Sequence, residues 1–362
     1  MDSTIYKKIT DYLLEIISRN AKIPNYKMPS ERMLASNFDT SRKPVRHAYE
    51  TLIEKGYVTN IHGRGYFIRS DIKPDDMLTA FQKNVRISLI MPSILTHYSH
   101  SILSGVNDFC SDNQVELAIH VSENSITKES SLLHSLPNAG YMGIILFPTD
   151  SDFAYPNELI KLAVRKYPFV LVDRSLPNVH ASLISSDNHQ AMVDAVQFLH
   201  QKNYEKPVYV TPPAALASSV DSRINGYTHG LLKYYQMALP RNLLILEGTL
   251  EQQKGAMIRY LQKYPDTDVI IVLGSQRQPV VKAVQEIGFH ARLMFFDDEM
   301  SHEERDTLKP HVIQQDGYHI GYFAAEALYN QIFGDMRPVI KSLPVSIIDA
   351  DADNDSAEND HF

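Results

Sequence analysis

Two sets of side chains in this sequence are of types that do chemistry, and they ask for different partners. The first is cationic: Arg42, Lys43, Arg46 and His47 lie close together, and Arg64 follows between two glycines. Guanidinium and ammonium groups gathered near the start of one helix suit the phosphates and base edges of a duplex. The second set is mixed and dispersed: Tyr98 and Ser99, Asp150, Asp173 with Arg174, Arg223, and Asp297 with Asp298. Carboxylates accept from paired hydroxyls, arginine donates to ring oxygens or anionic groups, and an aromatic ring packs on C–H faces, a combination suited to a polyhydroxylated ligand. Taken singly, each of these residues is commonly a surface or capping residue, so their meaning depends on whether the fold gathers them.

Other chemistry is poorly served. The single cysteine, Cys110, allows no internal disulfide, and without a partner set it reads as buried packing. There is no Walker-type loop, no lysine in a recognisable pyridoxal setting and no His/Cys cluster at metal-ligand spacing. His97 and His100 stand three apart, but no third ligand is placed beside them. No enzyme activity, cofactor or metal is expected.

The elements that must hold the cationic set can be read from period and caps. Ile5, Ile9, Leu13, Ile16 and Ile17 recur at helical spacing, and the segment with Pro24 ends that helix. Ser30 and Glu31 open a second, short helix running to about Phe38. After the turn Asp39-Thr40-Ser41, where Ser41 offers another cap, a third helix carries Val45, Ala48, Tyr49, Leu52 and Ile53 on one face and ends at Gly56. Pro44 falls in its first turn, where a missing N–H costs little. Residues 57–61 and 66–68 then read as two strands joined by His62-Gly63-Arg64-Gly65, a hairpin with a basic tip. The bland alternative is a small α+β domain with a solvated basic face.

Beyond Ser70 the pattern changes. Residues 70–84 show little apolar periodicity and read as a linker. From there buried-strand runs alternate with helical patterns: 87–91, 115–121, 143–147, 169–172, 207–211, 243–247, 269–273 and 293–296 as strands, and helices such as 191–201, 222–235, 279–287 and 318–332. Such alternation implies parallel sheets covered on both faces. Ligands then bind outside the carboxyl ends of the strands, where the second set of side chains falls.

At 362 residues, two or three domains are expected. Residues 1–73 carry 13 Lys and Arg against 8 Asp and Glu, a balance of +5, while the remainder carries 22 against 35, a balance of −13. A basic head on an acidic body suggests an anionic partner for the head alone, although chance clustering gives the same count. No apolar run is long enough for a bilayer, and the start has no signal-peptide pattern, so no membrane partner and a cytoplasmic chain are expected. The acidic end, 349–362, reads as a disordered tail without a site.

Two resemblances sharpen these readings. Met28 to Ala35, Ser41 to Arg46, Leu52, Gly56-Tyr57-Val58 and Gly63 to Ile68 resemble the GntR-family winged helix-turn-helix across nearly all of residues 5–69. The resemblance implies DNA contacts from Arg32, Arg42 and Arg46 and from the wing residues His62 and Gly63; Ser41, Lys43 and Arg64 join them as DNA-binding candidates from the basic helix start and the hairpin tip. Lys43-Pro44 departs from the family's usual small polar pair. Leu171 to Arg174, Ser186-Asp187 through Leu199, Ser222 to Tyr227, Phe296 to Asp298 and Gln315-Asp316 through Gly321 resemble, in order and spacing, the effector domain of the LacI/GalR family over residues 85–347. It implies a two-lobed α/β domain of the periplasmic-binding-protein type over 85–348. Effector contacts are implied at Arg223 and Asp297, with Asp150 and Tyr98 near equivalent positions; Ser99 and Arg174 join them as candidates. Two departures fall in the pocket: Leu273-Gly274-Ser275-Gln276 replaces the usual Asn-Asp pair, and Gly317 replaces a frequent aromatic. Such a head on such a body is similar in architecture to arabinose repressors of Gram-positive bacteria. That likeness implies a homodimeric repressor on double-stranded operator DNA, controlled by a small molecule such as arabinose. A transporter's solute-binding protein, or a sensor of a non-sugar effector, is the alternative.

Overall fold

The computed structural model describes residues 3–20, 23, 25–69, 85–149, 157–213, 217–297, 300–333 and 336–352. The expected linker at 70–84 lies outside the described residues, as do Asp150, Asp298 and the acidic end beyond residue 352. The chain divides into two compact units, residues 1–85 with 113–116, and the rest.

In the first unit, helices α1 (Ser3–Asn20), α2 (Glu31–Asn37) and α3 (Arg42–Glu54) precede a hairpin of β1 (Val58–Ile61) and β2 (Gly65–Ile68). The stripe of α1 supplies Ile9, Leu13 and Ile17 to a core shared with Leu34, Val45, Ala48, Tyr49, Leu52, Val58 and Ile68. The three helices are thus held together by one apolar face each. Ser30 caps α2, its hydroxyl accepting from the Met33 amide at 3.2 Å. Ser41 occupies the N-cap of α3, but contrary to expectation its side chain makes no capping bond. The hairpin pairs Val58 with Ile68 and Ile61 with Gly65. Its turn needs Gly63 at φ 74° and Gly65 at φ 102°, conformations that side chains with a Cβ rarely adopt.

The second unit holds two six-stranded sheets. In the first, β3 (Arg86–Met91), β4 (Glu116–Val121), β5 (Gly143–Leu146), β6 (Phe169–Val172), β7 (Ser182–Ser186) and β13 (Ile340–Leu343) stand in the order β13-β7-β6-β5-β3-β4. In the second, β8 (Pro207–Thr211), β9 (Leu243–Ile245), β10 (Val269–Leu273), β11 (Arg292–Phe296), β12 (His311–Gln314) and β14 (Ser346–Ile348) stand in the order β14-β12-β11-β10-β8-β9. Helices α4 (His97–Asp112), α5 (Ile126–Ser135), α6 (Asn157–Val164), α7 (Asn188–Gln201), α8 (Ser218–Gly230), α9 (Leu250–Lys263), α10 (Arg277–Ile287), α11 (His302–Leu308) and α12 (Gly317–Ile332) complete the unit.

Eight strands are expected from the sequence; twelve are present among the described residues of this unit. The additions are β7, β12, β13 and β14, which are short and carry serine, glutamine, lysine or histidine where a buried run would be apolar. β14 also runs antiparallel to β12, pairing Val312 with Ile348, so the second sheet is not purely parallel as expected.

The chain passes from one sheet to the other after β7, β12 and β13. Helix α7 follows β7 of the first sheet yet packs into the core of the second, its Met192, Val196 and Leu199 meeting Tyr209, Ile271 and Phe296. Conversely α12 follows β12 and packs on β5, β6 and β7. Each lobe is therefore covered by a helix handed over from the other.

The acidic end departs from expectation at its start. Asp349 pairs with Lys202 of α7, and Asp351 with Arg292 of β11 at 2.8 Å. His311 Nδ1 accepts from the Ala350 amide at 3.2 Å. Cations at the end of α7 and the start of β11 thus hold the carboxylates of the described part of the acidic end, residues 349–352.

Candidate functional site

The expected DNA-binding residues share one solvent-facing character. Arg32, Ser41, Arg42, Lys43, Arg46, His62, Gly63 and Arg64 are all exposed. Burial of Val45, Ala48, Tyr49 and Leu52 turns the opposite face of α3 outward, so Arg42, Lys43 and Arg46 project from its first two turns. Pro44 lies between them, half-buried, where it sets the first turn without losing a bond. Arg64 stands 6.0 Å from the centroid of the Phe67 ring, at the tip of the hairpin.

The second unit carries a cleft of about 380 Å³ lined from both sheets, with Tyr98, Phe147 and Asp173 on one wall and Arg223, Phe296 and Asp297 on the other. This is within the range of small-molecule sites. The walls repeat one design. Asp173 follows β6 at φ 70°, and Asp297 follows β11 at φ 66°. Each amide is tied to the next strand, Asp173 to the Ile184 carbonyl at 3.0 Å and Asp297 to that of Ile313 at 2.9 Å. The left-handed turn, tolerated by aspartate, redirects the carboxylate from the sheet into the cleft. An arginine lies over a phenylalanine on each side: Arg174 is 5.3 Å from the Phe147 centroid, and Arg223 is 3.8 Å from that of Phe296.

Hydrogen bonds fix these groups. Asp173 accepts from the Tyr98 hydroxyl at 3.0 Å and from Arg174 Nε at 2.8 Å. Asp297 accepts from the Gln315 amide at 3.2 Å and from Gln315 Nε2 at 2.7 Å. Arg223 donates from Nε to Asn188 at 2.7 Å and from Nη2 to Gln315 Oε1 at 3.4 Å. Asn188 and Gln315 stand at two of the crossings between the sheets, so the segments that join the lobes also hold the arginine in place.

Burial dominates the electrostatics. It raises the Asp173 carboxyl against the opposing pull of Arg223 and Tyr98. It pushes Asp297 up to about 6, with Arg223 and Gln315 working against it and Asp173 adding repulsion. Arg174 is lowered to about 10 by burial and by the charge of Arg223. Two carboxylates and two guanidinium groups balance in formal charge, and each carboxylate has acceptor capacity beyond the bonds just named. Such a surface receives neutral donors better than a net ion.

Of the expected effector residues, Tyr98, Arg174, Arg223 and Asp297 line this cleft. Ser99 does not: it is buried, receiving a bond from the Thr96 hydroxyl at 2.7 Å, and belongs to the local turn that starts α4. Asp150 lies outside the described residues. Asp173, named with Arg174 in the polar set but not carried on as an effector contact, lines the cleft as well. The sequence reading passed over Asn188, Gln315, Phe147 and Phe296 as site residues; Phe296 adjoins Asp297 at a strand end, and that position was the available signal. Gln276, in the loop that departs from the family pattern, is buried in the wall and accepts from the Ser275 hydroxyl at 2.6 Å.

A winged helix-turn-helix joined to a two-lobed α/β cleft defines a class, regulators with a ligand-binding body. Comparison with known proteins agrees. Residues 87–336 match the periplasmic binding protein domain and residues 5–68 match the bacterial regulatory proteins of the gntR family. The chain belongs to the periplasmic binding protein domain family, with a gntR-type winged helix at its head.

Among relatives, the arabinose metabolism transcriptional repressor of Halalkalibacterium halodurans is 25% identical over 51% of this chain and 50% of its own length. The transcriptional regulator PtxS of Pseudomonas putida is 26% identical over 61% of this chain and 63% of its own. The aligned part thus spans about half to two thirds of these curated relatives. Among solved structures, AraP, an arabinose binding protein from Geobacillus stearothermophilus, superposes with a TM-score of 0.65 at 19% identity, covering 75% of this chain and 99% of that one. At that identity the likeness is one of fold.

Proposed function

We propose that this protein is a transcriptional repressor that binds operator DNA through its winged helix and releases or engages it under control of a small polyhydroxylated effector, a sugar such as arabinose, held in the cleft. The observation that supports it most is the charge-balanced, buried Asp173–Arg174 and Arg223–Asp297 walls, each with an aromatic ring, in a chain that also exposes Arg42, Lys43 and Arg46 on one helix. Binding of a ligand between lobes that share three crossing segments favours one lobe arrangement, and a coupling of about 1–3 kcal/mol is typical of such control. A homodimer would present two heads to a two-fold-related operator.

The test is a thermal-shift screen of the whole chain against neutral pentoses and hexoses, sugar alcohols, phosphorylated sugars and sugar acids. A ligand at about 100 times its dissociation constant adds about 2.7 kcal/mol to the native state. A rise in midpoint with a neutral sugar, lost in Arg223→Ala, is expected. A response confined to anionic compounds would overturn the neutral-ligand reading.

For the head, Arg46→Ala is expected to weaken binding to a selected duplex by about 1–3 kcal/mol while leaving the thermal shift with sugar unchanged. Equal weakening on all sequences would make Arg46 a phosphate contact rather than a base reader.

A further inference from the structure

The winged helix contains a bonded relay centred on one carboxylate. Glu31, the first residue of α2, accepts from Arg46 Nε at 3.3 Å on Oε1 and from Arg46 Nη2 at 3.1 Å on Oε2. The same carboxylate accepts from the Tyr66 hydroxyl at 2.7 Å. Tyr66 belongs to β2 of the wing, and its ring lies flat on that of Tyr49 in α3, with centroids 3.8 Å apart and planes at 2°. Tyr49 is fixed in turn by a bond to the Pro29 carbonyl at 2.5 Å. Burial alone would raise the Glu31 carboxyl, but the bonds from Arg46 and Tyr66 outweigh it and hold the group below its usual range. At neutral pH Glu31 is therefore an anion, with a side chain 19% exposed, facing an Arg46 side chain 60% exposed.

A free arginine side chain carries about 2 kcal/mol of rotamer entropy, much of which is lost when it docks. Its guanidinium presents five N–H donors in a plane. Glu31 engages the Nε–Nη2 edge of a side chain that is largely exposed, so the Nη1–Nη2 end stays accessible to a partner. That end has the two-donor geometry that matches guanine O6 and N7 in the major groove. A carboxylate beside a duplex repels phosphates, so its presence here is favourable only if it improves the aim of the arginine more than it weakens the general field.

We propose that Glu31, steadied by Tyr66, is a positioning residue that aims the Nη1–Nη2 edge of Arg46 at a guanine, so that preference at that base pair depends on a wing tyrosine and an acid that touch no base. This inference rests on the reading of Arg46 as a DNA contact. The coupling also makes the wing strand part of base recognition, since displacing Tyr66 would free the carboxylate and with it the arginine.

The probe is the duplex that full-length wild-type protein enriches from a random-sequence library, with base preferences read by sequencing and affinity by titration over a range of salt. Arg46→Ala identifies the position concerned by losing guanine preference there. Glu31→Gln is expected to lose about tenfold in preference at the same position, with the other positions and the salt slope unchanged. Tyr66→Phe, which keeps the ring stack, is expected to show a smaller loss at that position. An unchanged profile in Arg46→Ala would overturn the reading of Arg46, and the proposal with it. If Arg46→Ala behaves as expected, the proposal alone is overturned by an unchanged profile in Glu31→Gln, by tighter binding, or by an even loss at all positions with a lowered thermal midpoint.

Discussion

Asp297→Asn is expected to weaken effector binding by at least about 100-fold and to remove its dependence on pH, while the winged helix binds DNA as before. Two bonds from ligand hydroxyls to a buried carboxylate are charge-assisted, about 1.5–3 kcal/mol each, so losing the charge costs about 3 kcal/mol or more. Asparagine also sets an NH2 against one of the two donors of Gln315, at the amide N or at Nε2. If Gln315 turns to relieve that, its Oε1 leaves Arg223. In the wild type the carboxyl titrates at about 6 because burial disfavours its charge. Effector affinity should therefore fall as pH drops below about 6, by up to about tenfold per unit, if the ionised form is the acceptor. Calorimetric titration from pH 5 to 8 checks this, and a flat wild-type profile would remove Asp297 from the contact set.

The same group has the opposite effect on the stability of the free protein. An aspartate whose pKa is raised in the folded state holds its proton more tightly there than in the unfolded chain. It supports the fold at low pH, and that support is lost as pH rises through about 6. Relative to Asp297→Asn, the free wild type should lose ~1–2 kcal/mol between pH 5 and 8. Effector binding is thus strongest under the conditions where the empty cleft is least comfortable, a preorganised site maintained at the expense of stability.

Gly105→Ala is expected to be the most damaging single methyl in the chain's ligand-binding unit. A Cβ at this position would lie 1.9 Å from the Tyr318 carbonyl oxygen and 2.8 Å from the Tyr322 nitrogen, both backbone atoms of α12. From the other side, a Cβ on Gly321 would lie 2.0 Å from the Ile102 carbonyl oxygen. Helices α4 and α12 therefore cross with their backbones in contact, and neither clash is with a side chain that can swing away. The helices must part, loosening the packing of Phe109 on Tyr322, whose centroids are 5.3 Å apart. Overpacking costs about 1–3 kcal/mol and occasionally more, and this contact belongs at the upper end. A fall in Tm of about 6–12 °C is expected. Gly255→Ala in α9 is the control: its Cβ meets only the end of the Arg259 side chain at 3.5 Å, so helix propensity alone should add about 0.5–1 kcal/mol. Equal behaviour of the two variants would show that the crossing can dilate freely. Because Tyr98 sits two turns before Gly105 on α4, the damaged crossing should also weaken effector binding.

What the sequence by itself determined is everything carried by local period and local chemistry. The apolar stripe of α1, the Ser30 cap, the exposed cations of α3, the glycine turn of the hairpin and eight strand runs depend on neighbours a few residues apart, and such patterns are written in order along the chain; of those runs β4 and β9 lie at sheet edges and are not buried as expected. Resemblance then added the two-lobed body and the contacts implied at Arg223 and Asp297, which do meet in the cleft. Tertiary structure alone decided the rest. Strands β7, β12, β13 and β14 were not read as strands because two or three apolar residues among polar ones carry no period; they become strands only when a neighbouring strand takes up their amides. Ser99 looked like a site residue beside Tyr98, but consecutive helical residues point about 100° apart, and only one of them can face the cleft. Asn188 and Gln315 fall within the matched motifs but were not singled out as site residues, because neutral amides are common; they hold Arg223 because the chain crosses between sheets at those two points. The pairing of Asp349 and Asp351 was decided by Lys202 and Arg292, far from them in sequence. Local rules place side chains along an element, whereas charge pairing and crossings depend on which elements meet, and that is settled only by the packed chain.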